Sequence, residues 1–530
     1  MRKLLSRANK KLGVRGAATL LLAVSLIGQV LGFLRYKIVN ANFPVEGAQS
    51  TDAYFAAFKI PDFFFYTLAA GALGVAFIPI LTERLEKGDK KGVWDLTGSL
   101  LNLLAIIMAV VGVIIFVYAE WLIRHIVAPN LPPEQFDNAV TIMRFIAFNP
   151  LLFTVSGILA GAQQAFGRFF FFAVGPIFYN FAIIASVYIF KDNIGIVGLG
   201  IGALAGAVLQ LVVVLFGLAG ANFTWRPKIL WRKTDFRRIL KLLPARSIDQ
   251  GVDSIHSIAE TNFAAKLGQG NISYFENAYI MHTTPILLIG TTISTAAYPK
   301  LTERLAQKRP DLFRKDFLQI LRVIIWLTLP VAVVCYFARG YFARLIFTNS
   351  APEIAIVFGY FAVAIVFRSI YSMLSRWFYA QKDTVTPLFI SLFAIALNIA
   401  LAYSLSKPTA YGIVGLAIAQ SIVAAVEVGI LMVVMIFRDH KLLNKEFWGA
   451  MIKMVSVTGF AILAAFVMIS VLPLQIADKG FVTLGAKLAT ITGVTGLVYL
   501  FVSWVFNLNE ATAVIRYTKK IIYKPLKFYQ

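Results

Sequence analysis

About fourteen apolar stretches, each long enough to cross a bilayer, run along this chain, and the loops between them switch regularly between basic and nearly uncharged. A helix needs roughly 20 apolar residues to span the hydrocarbon core. Lys and Arg in short connecting loops mark the cytoplasmic side. Together the two signals specify an all-α polytopic membrane protein and its orientation. The expected spans lie near 17–39, 53–81, 95–118, 139–163, 169–190, 195–219, 240–265, 273–298, 318–346, 353–380, 385–405, 411–436, 448–472 and 483–506. The basic loops hold Arg84, Lys87, Lys90 and Lys91, then Arg168, then the run from Arg226 to Arg238, the run from Lys300 to Lys315, Lys382, and Arg438 to Lys445. The loops between them hold roughly one basic residue each (Arg124, Lys191, Lys266, Arg339, Lys407, Lys479), and none occurs between Ala41 and Asp52. Both termini are therefore expected on the cytoplasmic side.

A mean hydropathy of +0.76 and 59% hydrophobic residues exceed what a soluble globular domain carries. The net charge of +24 would suggest nucleic acid in a soluble protein. Here the basic residues gather at helix ends, where orientation and anionic lipid account for them, so no nucleic-acid partner is expected. The single cysteine, Cys335, lies in an apolar stretch, and four histidines show no zinc-type spacing. The basic N-terminus precedes a run that continues well past signal-peptide length and reads as an uncleaved first span. No loop is long enough for a soluble domain, and no nucleophile–base arrangement suggests an enzyme. No GxxxxGK[ST] run occurs either, so transport would draw on an ion, substrate or membrane-potential gradient.

An internal repeat is visible. Pro79-Ile80-Leu81-Thr82-Glu83-Arg84-Leu85 returns as Pro299-Lys300-Leu301-Thr302-Glu303-Arg304-Leu305, 220 residues later. Ala53-Tyr54-Phe55 matches Ser273-Tyr274-Phe275 at the same offset. The copies are six helices apart, and an even number keeps both in one orientation. The expected architecture is two parallel-repeat six-helix lobes, 1–220 and 221–440, with two extra C-terminal helices in 441–507 and a basic cytoplasmic tail, 508–530. Substrate sites in such folds tend to lie between the repeats.

Charges at bilayer depth are costly and usually face a cavity or a partner. The seventh span holds the densest set, Arg246, Asp249, Asp253, His256 and Glu260, at steps of 3, 4, 3 and 4 residues. That spacing puts all five on one helix face over roughly 21 Å. A water-filled interior or a seam of interhelical salt bridges would each explain the stripe. Arg35 closes the first span, Lys59 sits early in the second, Glu276 and His282 lie in the eighth, and Arg368 and Arg376 in the tenth. Arg35 and Lys59 either face the lumen or snorkel to the interface. Asn180 and Asn398, in corresponding spans, are suited to hydrogen bonding between helices.

Several segments resemble those of the MurJ (MviN) lipid II flippases of the multidrug/oligosaccharidyl-lipid/polysaccharide exporter superfamily. They are Gly32-Phe33-Leu34-Arg35, the run Asp52-Ala53-Tyr54-Phe55-Ala56-Ala57-Phe58-Lys59-Ile60-Pro61, Gly71 to Pro79, and most specifically Phe378-Tyr379-Ala380-Gln381-Lys382-Asp383-Thr384-Val385-Thr386-Pro387. The resemblance covers the whole length. It implies two lobes around a cationic cavity for a pyrophosphate-sugar headgroup, and a groove along the last two spans for the polyprenyl tail. Arg35 matches the family's arginine in the first span, and Lys59 stands where the family has arginine. Lys keeps the charge but loses the bidentate fork. Tyr36, Ala70 and Asn277 depart from the family pattern, with Glu276-Asn277 replacing an Asp-Arg pair, so Arg246 or His256 would have to supply the missing cation.

The expected function is a flippase carrying an undecaprenyl-diphosphate-linked peptidoglycan precursor, lipid II, from the inner to the outer leaflet of the bacterial cytoplasmic membrane by alternating access. Arg35, Lys59 and Arg246 are the candidate headgroup ligands. Asp249, Asp253, His256, Glu260, Glu276 and Asn398 are the candidate cavity or coupling-ion residues, with Na⁺ at Asp249, Asp253 and Glu260 or H⁺ as coupling ion and no other cofactor. Alternatives are a flippase for another polyprenyl-linked glycan, an ion-coupled small-molecule antiporter of the same superfamily, and a membrane scaffold. Expected partners are the lipid substrate, membrane lipids and cell-wall synthesis proteins, around a monomeric chain.

Overall fold

A computed structural model describes residues 14–70, 77–221, 223–347, 350–478 and 480–512; the side chains at 14–15, 17–18, 22, 69–70, 242–250 and 252 are also outside the description. The chain forms two compact units, Met1–Ser273 and Tyr274–Gln530. The first holds α1 (Val14–Asn42), α2 (Thr51–Phe64), α3 (Ile78–Glu86), α4 (Lys90–Leu122), α5 (Pro133–Ile146), α6 (Asn149–Ala165), α7 (Phe170–Phe190), α8 (Gly198–Phe216) and α9 (Thr234–Ala265). The second begins in the first turn of α10 (Asn271–Pro285). It continues with α11 (Thr292–Ala306), α12 (Pro310–Phe337), α13 (Arg339–Ile346), α14 (Ala351–Ala380), α15 (Val385–Leu405), α16 (Val414–Arg438), α17 (Lys445–Val471) and α18 (Phe481–Val505). The lobes expected from the repeat meet at 220/221, whereas compactness places α9 with the first unit.

Twelve helical stretches among the described residues are long and apolar enough to cross a membrane. Two expected spans fall outside that set, 53–81 and 240–265, and both are helical wherever they are described. Both carry charge well inside, Lys59 and Asp62 on α2 and the ionisable stripe on α9. Hydrocarbon tolerates such helices only where protein or water covers the polar face, and α9 packs against α2 and the turn that follows it.

The repeat survives as structure. After α2 the chain widens into a π-helical turn, Phe65–Ala70, and after α10 into another, Ile286–Thr291. Such turns interrupt the regular backbone ladder and re-aim the helix. The second turn lets Gly290 lie so close to α14 that a Cβ there would meet the Ser369 Cα at 2.6 Å. The duplicated Thr-Glu-Arg-Leu segments end their helices alike. Gly88 (φ 75°) and Lys308 (φ 55°) both take left-handed conformations, the usual way to stop a helix. Arg84 then ties its turn to Asp89 and Asp235, at 2.8 and 2.7 Å, while Arg304 reaches Asp316 at 3.0 Å.

The other family-like segments are also structural joints. Buried Asp52 accepts hydrogen bonds from the Gly270 amide (2.7 Å), the Ser273 amide (2.8 Å) and the Ser273 hydroxyl (2.6 Å), tying the start of α2 to the end of the first unit. In the Phe378–Pro387 segment Lys382 turns left-handed (φ 62°). Asp383 then accepts from the Val385 and Thr386 amides, both at 3.0 Å, and caps α15. Arg438, at the end of α16, donates to Asp383 at 2.6 Å and to the Thr386 hydroxyl at 2.7 Å. Three helix ends are thereby clamped at one point.

Each unit has its own apolar core. Phe77, Trp94, Leu100, Leu159 and the α9 residue Phe236 meet in the first, and Phe313, Phe317, Trp377 and Phe378 in the second. The C-terminal pair joins the second core through α12: Trp326 donates to Ser503 at 3.0 Å, and Tyr499 donates to the Trp326 carbonyl at 2.9 Å. Outward-facing Val455, Phe466, Leu497 and Phe501 give α17 and α18 a strongly apolar exterior. Inside the second unit, Glu427 (α16) accepts from Arg368 (α14) and from Ser391 (α15), each at 2.8 Å. Arg376 packs among aromatic rings. It lies 5.5 Å from the Tyr298 ring and 5.9 Å from the Tyr379 ring, and donates to Thr295.

Two outcomes test these joints. Removing one partner of a buried ion pair strands the other, at a cost of about 3–5 kcal/mol. Glu427→Ala should therefore lower the unfolding midpoint of the purified protein far more than a surface acid-to-Ala change does. For Asp383, burial works against ionisation, but the Thr386 hydroxyl and amide and the Arg438 guanidinium outweigh it and hold the carboxyl down at about 2. The folded value is depressed, so the stabilisation is complete above the unfolded value near 4 and is lost as pH falls toward 2. In pH-dependent thermal melts the deficit of Asp383→Asn relative to wild type should be constant from pH 7 to 5 and shrink below pH 4.

Candidate substrate-binding site

The charged face of α2 and that of α9 enclose a cavity of about 270 Å³ in the first unit, lined by Lys59, Asp62, Phe63, Tyr66, Asp253, Ser254 and Ser257. The helical period explains who takes part. On α2, Lys59, Asp62 and Tyr66 recur at three and four residues, and on α9 Asp253 and Ser257 are one turn apart. Pro61 lies inside α2, and because it lacks an N–H it leaves a backbone carbonyl of the preceding turn without its helical donor. The π-helical turn from Phe65 then carries Tyr66 to the cavity. Lys59 donates to the Ser257 hydroxyl at 2.8 Å, so its ammonium is anchored across the cavity rather than extended to an interface.

The expected residues are distributed as follows. Lys59 and Asp253 come together at the cavity. His256 Nε2 and Glu260 Oε1 come together at 3.1 Å, with Glu260 only 3% exposed. That end of the stripe is thus a buried pair, while the Asp253 level opens to solvent. The side chains of Arg246 and Asp249 lie outside the described residues. Arg35 stands apart from the residues that line the cavity. Its guanidinium lies 4.7 Å from the centre of the Tyr36 ring, Tyr54 and Tyr179 are within electrostatic reach, and its Nε is buried without a hydrogen-bond partner. Glu276 (half-buried) and Asn398 (buried) lie on α10 and α15 of the second unit. His282 is buried there too, stacked on Phe361 at 4.3 Å. Among the described residues no group of three or more His, Cys, Asp or Glu side chains is placed to hold a metal ion.

Sequence reading missed Asp62, Tyr66, Ser254 and Ser257. Asp62 stands one residue beyond the Asp52–Pro61 segment, and its three-residue spacing from Lys59 was the available signal. The two serines carry no charge to mark them in a helix, and only packing shows that they face Lys59. Among the described lining residues, two carboxylates accompany one ammonium. The site is a mixed-charge cavity in which Lys59 supplies the fixed cation.

The fold is shared with solved structures of MOP superfamily transporters. An inward-facing structure of a multidrug resistance MATE family transporter superposes with a TM-score of 0.67 at 17% identity, covering 81% of this chain and 99% of that one. A structure of lipid II flippase MurJ in an inward closed conformation superposes with a TM-score of 0.75 at 20% identity, covering 92% and 98%. The sequence profile of the family described as lipid II flippase MurJ matches residues 47–484, and the chain belongs to that family. Among its relatives, a probable lipid II flippase MurJ of Vibrio cholerae is 28% identical over 77% of this chain and 80% of its own length. Another, of Borreliella burgdorferi, is 24% identical over 76% and 80%.

Cysteine scanning tests the cavity, and the native Cys335 is buried, so background labelling should be low. Cysteines at Asp253 and Ser257 should react with a membrane-impermeant thiol reagent in detergent-solubilised protein, and a cysteine at Glu260 should react at least about tenfold more slowly, since a 3% exposed position is reached only by local opening.

Proposed function

We propose that this chain flips lipid II from the inner to the outer leaflet of the cytoplasmic membrane by alternating access. Membership of the lipid II flippase family over residues 47–484 carries this reading. The cavity supplies a physical rationale. A diphosphate entering it meets the Lys59 ammonium, half-buried and held by Ser257, and charge-assisted hydrogen bonds there are short and strong. Ser254, Ser257 and Tyr66 offer hydroxyl donors to phosphate or sugar oxygens. Arg35, with its buried Nε, is a second cation of the same unit. The apolar exteriors of α17 and α18 suit a polyprenyl tail that stays in lipid while the headgroup crosses.

Coupling to Na⁺ or H⁺ belongs to the same proposal. Among the described acids of the stripe, Asp253 opens to the cavity, whereas Glu260 is engaged by His256. The alternating basic loops place both termini in the cytoplasm, and the chain works as a monomer beside the enzymes of cell-wall synthesis.

Depletion in the host is the decisive experiment. Lipid II should accumulate on the inner leaflet, and complementation by Arg35→Ala or Lys59→Ala should fail at normal expression, with Lys59→Arg restoring growth. Accumulation of a different polyprenyl-linked glycan would assign the protein to that substrate, and full activity of Lys59→Ala would remove the cavity from the mechanism.

A further inference from the structure

The second unit holds a cavity of about 510 Å³ at the end where its basic loops lie. Three parts of the chain wall it: the first turns of α12, the connection from α16 into α17, and residues 509–510 just beyond α18. The volume falls in the roughly 300–1,000 Å³ range of small-molecule sites, and none of the lining residues belongs to the Lys59 cavity. On α12 the lining runs from Asp311 through Arg314, Lys315 and Leu318 to Arg322. Steps of three and four residues give one helix face to the cavity over about three turns.

Its charges are unevenly matched. Arg322, 12% exposed, holds Nε 2.7 Å from Glu510 Oε1 and donates from Nη2 to Oε2 at 3.2 Å. Arg314 is taken by Asp439 at 2.5 Å, and Asp311 lies 3.6 Å from Arg309. Lys315 and Lys441 are exposed and have no carboxylate within ion-pair distance among the described residues. Two uncommitted ammonium groups thus stand against one carboxylate, Glu446, in the first turn of α17. The same turn adds donors. Asn444 accepts from the Phe447 amide at 2.8 Å, which leaves the Lys445 and Glu446 amides outside the helical ladder, and a helix start of this kind favours anions. Gln319 and Asn509 bring neutral amides to the lining, suited to hydroxyl groups. A phosphate ester spreads its charge over a tetrahedron of oxygens and can take donors from three walls at once, which a planar carboxylate cannot.

We propose that this cavity binds the phosphate ester of a small polyol, with Lys315 and Lys441 holding the phosphate and Gln319 and Asn509 the hydroxyl groups. A glycerol phospholipid headgroup and a soluble polyol phosphate share that chemistry. Because the walls come from α12, the α16–α17 connection and the end of α18, a bound ester ties the last two helices to the rest of the second unit.

The test uses the purified full-length chain in neutral detergent without lipid II, so its outcome does not depend on the flippase reading. Unfolding midpoints are compared at constant ionic strength with glycerol 3-phosphate, phosphatidylglycerol and phosphatidylcholine. A ligand that binds only the folded state raises the midpoint, so wild type should show a saturable rise with at least one of the two anionic esters. A rise with glycerol 3-phosphate marks a soluble ligand, and a rise with phosphatidylglycerol alone marks a leaflet lipid. Lys315→Gln with Lys441→Gln should abolish the rise, and Lys315→Arg with Lys441→Arg should keep it. Removing the same charge by Lys90→Gln with Lys91→Gln, at the start of α4, should keep it too. Indifference of wild type to both anionic esters would overturn the proposal, as would a rise that survives loss of Lys315 and Lys441. An equal rise with phosphatidylcholine, or an equal loss on removing Lys90 and Lys91, would report bulk lipid or bulk charge and overturn it as well.

Discussion

A charge inside hydrocarbon must be answered by the protein itself, and this constraint organises the chain. Twelve stretches are apolar enough to stand against lipid. The helices α2 and α9 each carry ionisable groups along one face, and they answer one another. Lys59 reaches Ser257, Asp62 and Asp253 border the same cavity, and His256 closes on Glu260. In the second unit Arg368, Glu427 and Ser391 meet the same demand without a cavity of that kind. Leaving any of these groups unanswered would cost several kcal/mol, so the polar seams are fixed as firmly as the apolar cores.

The segments that identify the family are largely the ones that hold helix ends in place. Asp52 ties α2 to the Gly270–Ser273 turn, Arg84 and Arg304 brace equivalent turns, and Asp383 with Arg438 clamps three helix ends together. Glycine-like conformations at Gly88 and Lys308 stop the duplicated helices at matching points. A transporter that alternates between states needs rigid helices joined at defined ends, so that motion is confined to a few places. The π-helical turns at Phe65–Ala70 and Ile286–Thr291 interrupt the regular ladder at corresponding points of the repeat.

The electrostatic character of the Lys59 cavity differs from the purely cationic one that the family resemblance implies. Two carboxylates share it with one ammonium among the described residues. An anionic headgroup would therefore meet both signs of charge in this cavity, with Lys59 as the attractive group.

The sequence alone determined the class of protein, twelve of the expected spans and the family, because each depends on local patterns: apolar run length and short motifs. It also singled out Lys59 and Asp253, since charge inside an apolar run is conspicuous by itself. Only the tertiary structure decided which charges meet. The stripe on α9 reads as uniform at a spacing of three and four residues, yet packing divides it into an open level at Asp253 and a closed pair at His256 and Glu260. Packing likewise brought in Asp62 and Ser257, the latter through a neighbour 198 residues away in the Lys59–Ser257 contact. A helix's period fixes which residues share a face. What that face meets is set by which helix packs against it, and no local pattern encodes that.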